Sequence, residues 1–360
     1  MELFLIILIL TITTRYSVWI YFARQHTKRK VTVNNNLGID ENIFLSWLKN
    51  IFITDEKISL LVTSIGLEVY ESEVYVYSII IALLSQWHVL IQWAPWTWKT
   101  SLVRSFANAC DLWYWRIQCT PDLLPQDVLW SEILHVSWDD FVLRKWPLFS
   151  HVVHVDEINR TTPKLQSAFL EAMQEWHVTV WLKTIDLPKP FLIIATQNPY
   201  DALGTFMLPY AQVDRFMIWV STETLSIDKT VEIMKQQQNQ YLHVENTWSP
   251  IFHTDDILKL QNTIQDIVLD DSIIQYCVSC IQYLKDIGFE LSLRTTKSLI
   301  LATKCIAYMQ WKKQIDTLDV QRVLLPILRH RMSYIAGMQL SDQQIYALMI
   351  WSVWKDDIVG

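Results

Sequence analysis

Glycine is scarce: the chain has six in 360 residues, against about 7% in an ordinary protein, and none between Gly66 and Gly204. Tryptophan is over-supplied to match, with 18, and eleven stand inside that gap, at 87, 93, 96, 98, 113, 115, 130, 138, 146, 176 and 181. A basic excess is also missing. The 30 Lys and Arg against 37 Asp and Glu leave nothing to drive general binding to a phosphate backbone, so nucleic acid is a weak expectation. Five cysteines, an odd number without regular spacing, exclude a disulfide framework and fit a reducing compartment. Cys277 and Cys280 form a lone CxxC, but no second ligand pair follows, and both fall in a helical apolar pattern that favours burial. There is no internal repeat and no low-complexity segment.

Long apolar runs are confined to the start of the chain. Leu3 to Ile12 and Val18 to Ala23 precede a cluster of Arg24, Lys28, Arg29 and Lys30. Without a basic segment ahead of them they do not form a cleaved signal. A membrane anchor through residues 3–23 is one expectation, with the basic flank holding the catalytic part on the cytoplasmic side. Arg15 in mid-span favours the other, a packed N-terminal helix within residues 1–30.

Past a linker at 31–59, residues 60–221 alternate strands and helices, the pattern of a parallel sheet covered on both faces. His88 to Gln92, Val152 to Val155 and Phe191 to Ala195 are short apolar runs of the kind buried central strands show. From 222 to 333 the strands stop and periodic helices follow, Ile257 to Ile267, Ile273 to Leu284 and Thr295 to Met309, a small all-α domain. Residues 334–360 form a C-terminal helical extension.

Residues 93 to 100 read WAPWTWKT. A strand, HVLIQ, precedes them and a helix beginning at Lys99, Thr100 and Ser101 follows, the order that a phosphate-binding loop requires. The pattern GxxxxGK[ST] is met at Lys99 and Thr100 and fails at Trp93 and Trp98, with Trp96 at a third position where glycine is common. Glycine serves there because the turn needs backbone angles closed to residues with a Cβ and because phosphate must lie against the backbone. An indole would fill that space. With glycine restored the segment becomes GAPGTGKT, which suggests UGA codons read as tryptophan in a gene whose host reads them as glycine. The same exchange repairs turns at Trp138, the tip of a hairpin over 132–144, at Trp181 after the strand-like HVTV, and at Trp146 before Pro147. If the tryptophans are real, the alternative is a catalytically dead scaffold on the same fold.

VVHVDE (152–157) is an apolar strand ending in two carboxylates, the arrangement in which Asp156 serves Mg²⁺ and Glu157 polarises the attacking water. IIATQNP (193–199) is a second buried strand ending in polar groups, and Asn198 is placed to orient that water. His151 and His154 invite a metal reading, but a central strand puts them in the core.

These segments, with RIQCTPDLLPQDVL (116–129), VDEINRTTPKLQSAFLEAMQE (155–175) and GTFMLPYAQVDRF (204–216), resemble the MoxR family of AAA+ ATPases, in the helix-2-insert clade related to magnesium-chelatase-type ATPases. The likeness runs from about Leu60 to Arg331 and is weaker in the last helices, at LSLRT (291–295) and ILRHRM (327–332). It implies an α/β P-loop NTPase core followed by a helical lid, with ATP and Mg²⁺ as cofactors. The nucleotide would lie on Trp93, Ala94, Pro95, Trp96, Thr97, Trp98, Lys99, Thr100 and Ser101, with Lys99 on the β and γ phosphates and Thr100 and Asp156 at the metal. Asn198 falls at the sensor-1 position, Arg215 at the arginine finger and Arg294 at sensor 2, where Leu293 departs from the usual proline. A finger that reaches a neighbour's site implies a homo-oligomeric ring, a hexamer in the family. The clients implied are proteins with a metal-binding adhesion-type domain or metalloenzymes awaiting cofactor, and a nucleic-acid motor of the same clade is the lesser alternative.

Overall fold

The structure is a computed structural model, and it describes residues 55–69, 72–92, 99–135, 140–145, 147–180, 183–198, 205–221, 231, 249–312, 314–335 and 345. Its centre is a five-stranded sheet built from β1 (His88–Gln92), β2 (Tyr114–Gln118), β5 (Val152–Asp156), β8 (Leu192–Gln197) and β9 (Phe216–Ser221), in the spatial order β2-β5-β8-β1-β9. Every neighbouring pair is parallel. The inner strands β1, β5 and β8 are buried along nearly their whole length and are mostly apolar, with His88, His154 and Thr196 among the buried residues, because helices cover both of their faces. On the outer strand β2, Trp115 and Arg116 face solvent.

Strand periodicity divides the core. Val89, Ile91, Val152, Leu192 and Ile194 point to one side of the sheet, where α1 (Glu56–Glu68), α2 (Glu73–Leu84) and α3 (Lys99–Ala109) pack. Leu90, Val153, Val155, Ile193 and Ala195 point to the other, against Leu165, Phe169, Ala172 and Met173 of α5 (Pro163–Glu175). Between these helices come the short α4 (Pro125–Leu129) and two antiparallel ribbons. One pairs β3 (Trp130–His135) with β4 (Asp140–Lys145), the hairpin foreseen in the sequence, and the other pairs β6 (His177–Val180) with β7 (Lys183–Asp186). The tips that carry Trp138 and Trp181, and Trp146 itself, lie outside the described residues.

A single turn, α6 (Tyr210–Val213), leads into β9. The chain then continues as α7 (Thr254–Asp266), α8 (Asp271–Asp286), α9 (Leu293–Met309) and α10 (Thr317–Ile335). Their starts are encoded locally: the Asp256 carboxylate accepts from the His253 N–H at the head of α7, and Ser292 caps α9 by accepting from the Thr295 N–H. Cys277, Cys280 and Cys305 are buried in these helices. Burial pushes the Cys277 thiol up to about 12 and does the same to Cys305.

The helices after β9 are fastened to the sheet by a buried ion pair. Arg331 of α10, wholly inaccessible to solvent, places Nε 2.8 Å from Asp214 Oδ1, and its terminal nitrogens donate to the carbonyls of Asp214, Phe216 and Met217. A buried guanidinium is tolerated only when its charge and donors are met together in this way.

One expectation is corrected. Among the described residues no helix is long and apolar enough to cross a membrane, and residues 3–23 lie outside them, so the tether and the membrane-facing placement built on it are withdrawn.

Candidate functional site

The carboxyl ends of β5, β8 and β1 stand side by side, since β8 lies between the other two and Gln197 is in register with Gln92. In open parallel sheets ligands bind beyond this edge. Residues 93–98, with Trp93, Ala94, Pro95, Trp96, Thr97 and Trp98, leave β1 at that edge and are outside the described residues. Lys99 opens α3, and Thr100 and Ser101 follow in its first turn, where unpaired backbone N–H groups favour an anion.

Asp156 ends β5 and is almost wholly buried. The Thr196 hydroxyl of β8 donates to its Oδ1 at 2.6 Å, and an Arg116 terminal nitrogen from β2 reaches Oδ2 at 2.5 Å. Burial pushes this carboxyl's pKa up. The Thr196 and Arg116 hydrogen bonds, aided by His154 and the Arg116 charge, outweigh burial and hold it below the usual carboxylate range. Arg116 also donates to Gln118 on its own strand.

Glu157 stands next in the left-handed backbone region, φ 60° and ψ 50°, a strained place for a side chain with a Cβ. Two contacts hold it there: its N–H donates to the Thr196 oxygen at 3.1 Å, and its carboxylate meets Arg160 Nε at 3.0 Å. Thr196 thus links both carboxylate residues, accepting from one and donating to the other. Asn198 follows β8 directly and is buried.

Thr100 and Arg116, with Arg104, Asn108 and Tyr114, line an open cavity of about 450 Å³ between α3 and β2. Burial raises the Tyr114 phenol to about 12, so it stays protonated. The donors at this edge are of the kind Mg²⁺ takes: a fixed carboxylate, Asp156, and a hydroxyl, Thr100, are hard oxygen ligands, although the carboxylate is paired with Arg116 in this structure.

Arg215 and Arg294 meet each other rather than Asp156 or Glu157. Both donate to the side-chain oxygen of Gln174 near the end of α5, Arg215 through Nε at 3.2 Å and a terminal nitrogen at 2.7 Å, Arg294 through a terminal nitrogen at 3.2 Å. Asp214, the sequence neighbour of Arg215, is given over to Arg331 and to the Ser292 hydroxyl, 2.7 Å away. His151 and His154 have structural partners: His151 accepts from the Trp113 N–H at 3.1 Å, and His154 lies 3.4 Å from the Tyr114 hydroxyl.

Sequence reasoning missed Arg116, Thr196, Gln174 and Asp214 as parts of these clusters. Each lies inside a motif that was singled out, and strand register was the available signal for two of them. Arg116 is across from His154, and Thr196 follows Ala195, which pairs with Val155.

Residues 88–218 match the model of the ATPase family associated with various cellular activities (AAA). The chain is 36% identical over 254 residues to the uncharacterized protein YeaC of Bacillus subtilis, spanning 70% of this chain and 79% of that one. To the chaperone MoxR1 of Mycobacterium tuberculosis it is 31% identical over 265 residues, 70% of this chain and 69% of the relative. A crystal structure of a Cytophaga hutchinsonii protein provisionally assigned as an ATPase superposes with a TM-score of 0.72 at 29% identity, covering 86% of this chain and 96% of its own. These matches carry no support for the codon reading of the tryptophans. With the parallel sheet, the paired carboxylates at its edge and two relatives matched over more than two thirds of their length, the chain belongs to the MoxR-like family of AAA+ proteins, which bind and hydrolyse ATP.

Proposed function

We propose that hydrolysis takes place at the carboxyl edge of the sheet and that Asp156, Glu157 and Asn198 carry it. Asp156 and Thr100 would hold Mg²⁺, which supplies charge to the phosphate oxygens when bound. Glu157 orients the attacking water and takes up its proton, and Asn198 fixes the direction of approach. Lys99 would lie against the β and γ phosphates, with the backbone N–H groups of residues 93–101, Pro95 excepted, around them. The observation that supports this best is the Thr196 bridge, which sets the two carboxylate residues and the end of β8 as one rigid unit. Glu157→Gln is the test, made in a chain with glycine at 93, 96 and 98. Phosphate release should fall about 10²- to 10⁴-fold while ATP binding persists, the range for losing a general base. Hydrolysis at the parent rate would remove Glu157 from the mechanism.

We further propose that the chain works as a homo-oligomeric ring, six-membered as in the family, in which Arg215 serves the nucleotide of a neighbouring copy. Its hydrogen-bond partners in this chain are neutral, the Gln174 amide and the Ala211 carbonyl, and its neighbour Asp214 is paired with Arg331. One relative is named a chaperone, and a remodelling role fits this one, with the β3–β4 hairpin moved against a protein client such as an adhesion-type metal-binding domain or a metalloenzyme.

A further inference from the structure

The two arginines lie on different parts of the chain, one on the approach to β9 and one at the start of α9, and a single oxygen joins them. The orientation of that amide is fixed from its other side, where Gln174 Nε2 donates to Glu175 Oε1 at 2.7 Å. Its oxygen therefore faces the guanidiniums, and Glu175 is engaged at the nitrogen end. A neutral acceptor satisfies donors without cancelling charge. Two positive groups are thus held together beside solvent; Asp214 and Glu175 act on Arg215 as well, but the first is paired with Arg331 and the second accepts from the amide nitrogen, so an anion would still relieve the repulsion between the arginines. Burial, then the charge of Arg294, lowers the Arg215 pKa, as expected for like charges kept close.

The backbones that carry them are bolted together beneath. Asp214, one residue before Arg215, accepts from Ser292, two residues before Arg294, and the Tyr210 hydroxyl donates to the Glu290 carbonyl at 3.1 Å. A shift of α9 therefore moves the Arg215 segment with it. Gln174, near the end of α5, is the third point of the joint.

We infer that Gln174 is a positioning residue: its carbonyl oxygen locks Arg215 and Arg294 into one cationic pair that binds a polyphosphate, the tail of a nucleotide carried by a second copy of this chain. The inference rests on the proposed role of Arg215 and adds Arg294 to the same anion site, with Gln174 setting the spacing.

The test needs no hydrolysis. The full-length chain and its Gln174→Ala and Gln174→Glu variants are treated with phenylglyoxal, and labelling at Arg215 and Arg294 is followed by peptide mass spectrometry, with thermal melts as a check on folding. Loss of the acceptor in Q174A should speed labelling of both arginines about five- to tenfold, the effect of one hydrogen bond. A carboxylate in Q174E should slow labelling by gripping the pair harder, yet weaken protection by inorganic tripolyphosphate because it cancels one charge. In the parent, tripolyphosphate should protect both arginines with one midpoint. Unchanged labelling in Q174A, movement at only one arginine, or two separate midpoints would overturn the inference. A merely structural glutamine would not let Q174E slow labelling and lose protection together. Hydrolysis in chains whose two arginines label independently would leave the ATPase site standing and sink only the pair, whereas loss of hydrolysis with labelling as expected would do the reverse.

Discussion

The guanidinium of Arg116 lies 2.5 Å from the carboxylate of Asp156, on the side of that carboxylate away from Thr196. A cation binding at Oδ2 of Asp156 would compete with it. Replacement by glutamine should therefore lower the Mg²⁺ concentration that half-saturates ATP hydrolysis, while destabilising the metal-free protein by only about 1 kcal/mol, since Arg116 is 41% exposed and its charge is screened. Mg²⁺ titrations of R116Q and of the parent, both with glycine at 93, 96 and 98, decide the point. A higher Mg²⁺ requirement in the variant would mean that Arg116 helps the metal rather than competing with it.

His88 opens β1 and is entirely buried, its Nε2 donating to the Met173 carbonyl at 3.1 Å and its Nδ1 accepting from the Ile193 N–H at 3.0 Å. Burial lowers its pKa to about 4, only partly offset by the bond to Met173. The neutral ring is the folded form, and the unfolded chain takes the proton first. Its contribution is complete above about pH 6.5 and is lost as the pH falls from there toward about 4, roughly 1.4 kcal/mol for each pH unit and about 3 in all. Urea unfolding at pH 7.5, 6, 5 and 4.5 should show this slope, and His88→Gln should make it shallower by one proton. Parallel slopes in the two proteins would refute the assignment.

Much of the sheet was readable because apolar runs with period-two parity have one stable use: Val89 and Ile91 pack on one face and Leu90 on the other, as such a run demands. The paired carboxylates were readable for a similar reason, since Asp156 and Glu157 follow the mostly apolar run VVHV and emerge at the strand's end. The meeting of Arg215 with Arg294 was not. It depends on three bonds between segments far apart in sequence, and nothing in VDRF or LSLRT announces that Gln174 will stand between them. Nor could spacing show that Asp214 would be spent on Arg331.

That buried pair gives a sharp energetic expectation. Removing one partner by Arg331→Met or Asp214→Ala leaves an uncompensated charge in the core and should cost about 3–5 kcal/mol. The double substitution removes both charges and should cost markedly less than the sum. A thermodynamic cycle measured by urea unfolding reads this coupling directly, and additive losses would show that Arg331 is held by the backbone carbonyls rather than by Asp214.

Trp311 and Trp176 both adopt positive φ, 49° and 60°, where glycine is at ease and a tryptophan is strained. Their surroundings separate them. Trp311 is 64% exposed and touches Tyr308 at a ring separation of 6.0 Å, so Trp311→Gly relieves strain at little loss and should stabilise the chain by about 0.5–1 kcal/mol. Trp176, the cap of α5, packs on His88 and Phe191 at 6.2 Å each, and Trp176→Gly should destabilise by about 1–3 kcal/mol because burial outweighs the backbone. Unfolding midpoints that move in the same direction for both would show that backbone strain does not govern Trp311.

The phosphate loop itself offers the decisive experiment. A polyphosphate is held by backbone N–H groups that it must touch, and in a loop of that kind a Cβ with an indole would take the space of the phosphate oxygens. The chain as spelled should therefore bind ATP weakly or not at all, whereas Trp93→Gly, Trp96→Gly and Trp98→Gly together should bring binding into the micromolar to millimolar range usual for enzyme substrates. Calorimetric titration of both proteins with ATP and Mg²⁺ measures the difference. Equal affinity would show that the indoles fold away from the site, and it would end the case for glycine at those codons. Binding confined to the triple variant would mean that the remaining parts, from Lys99 to Asn198, had kept the geometry of a working site around a loop that only glycine can complete.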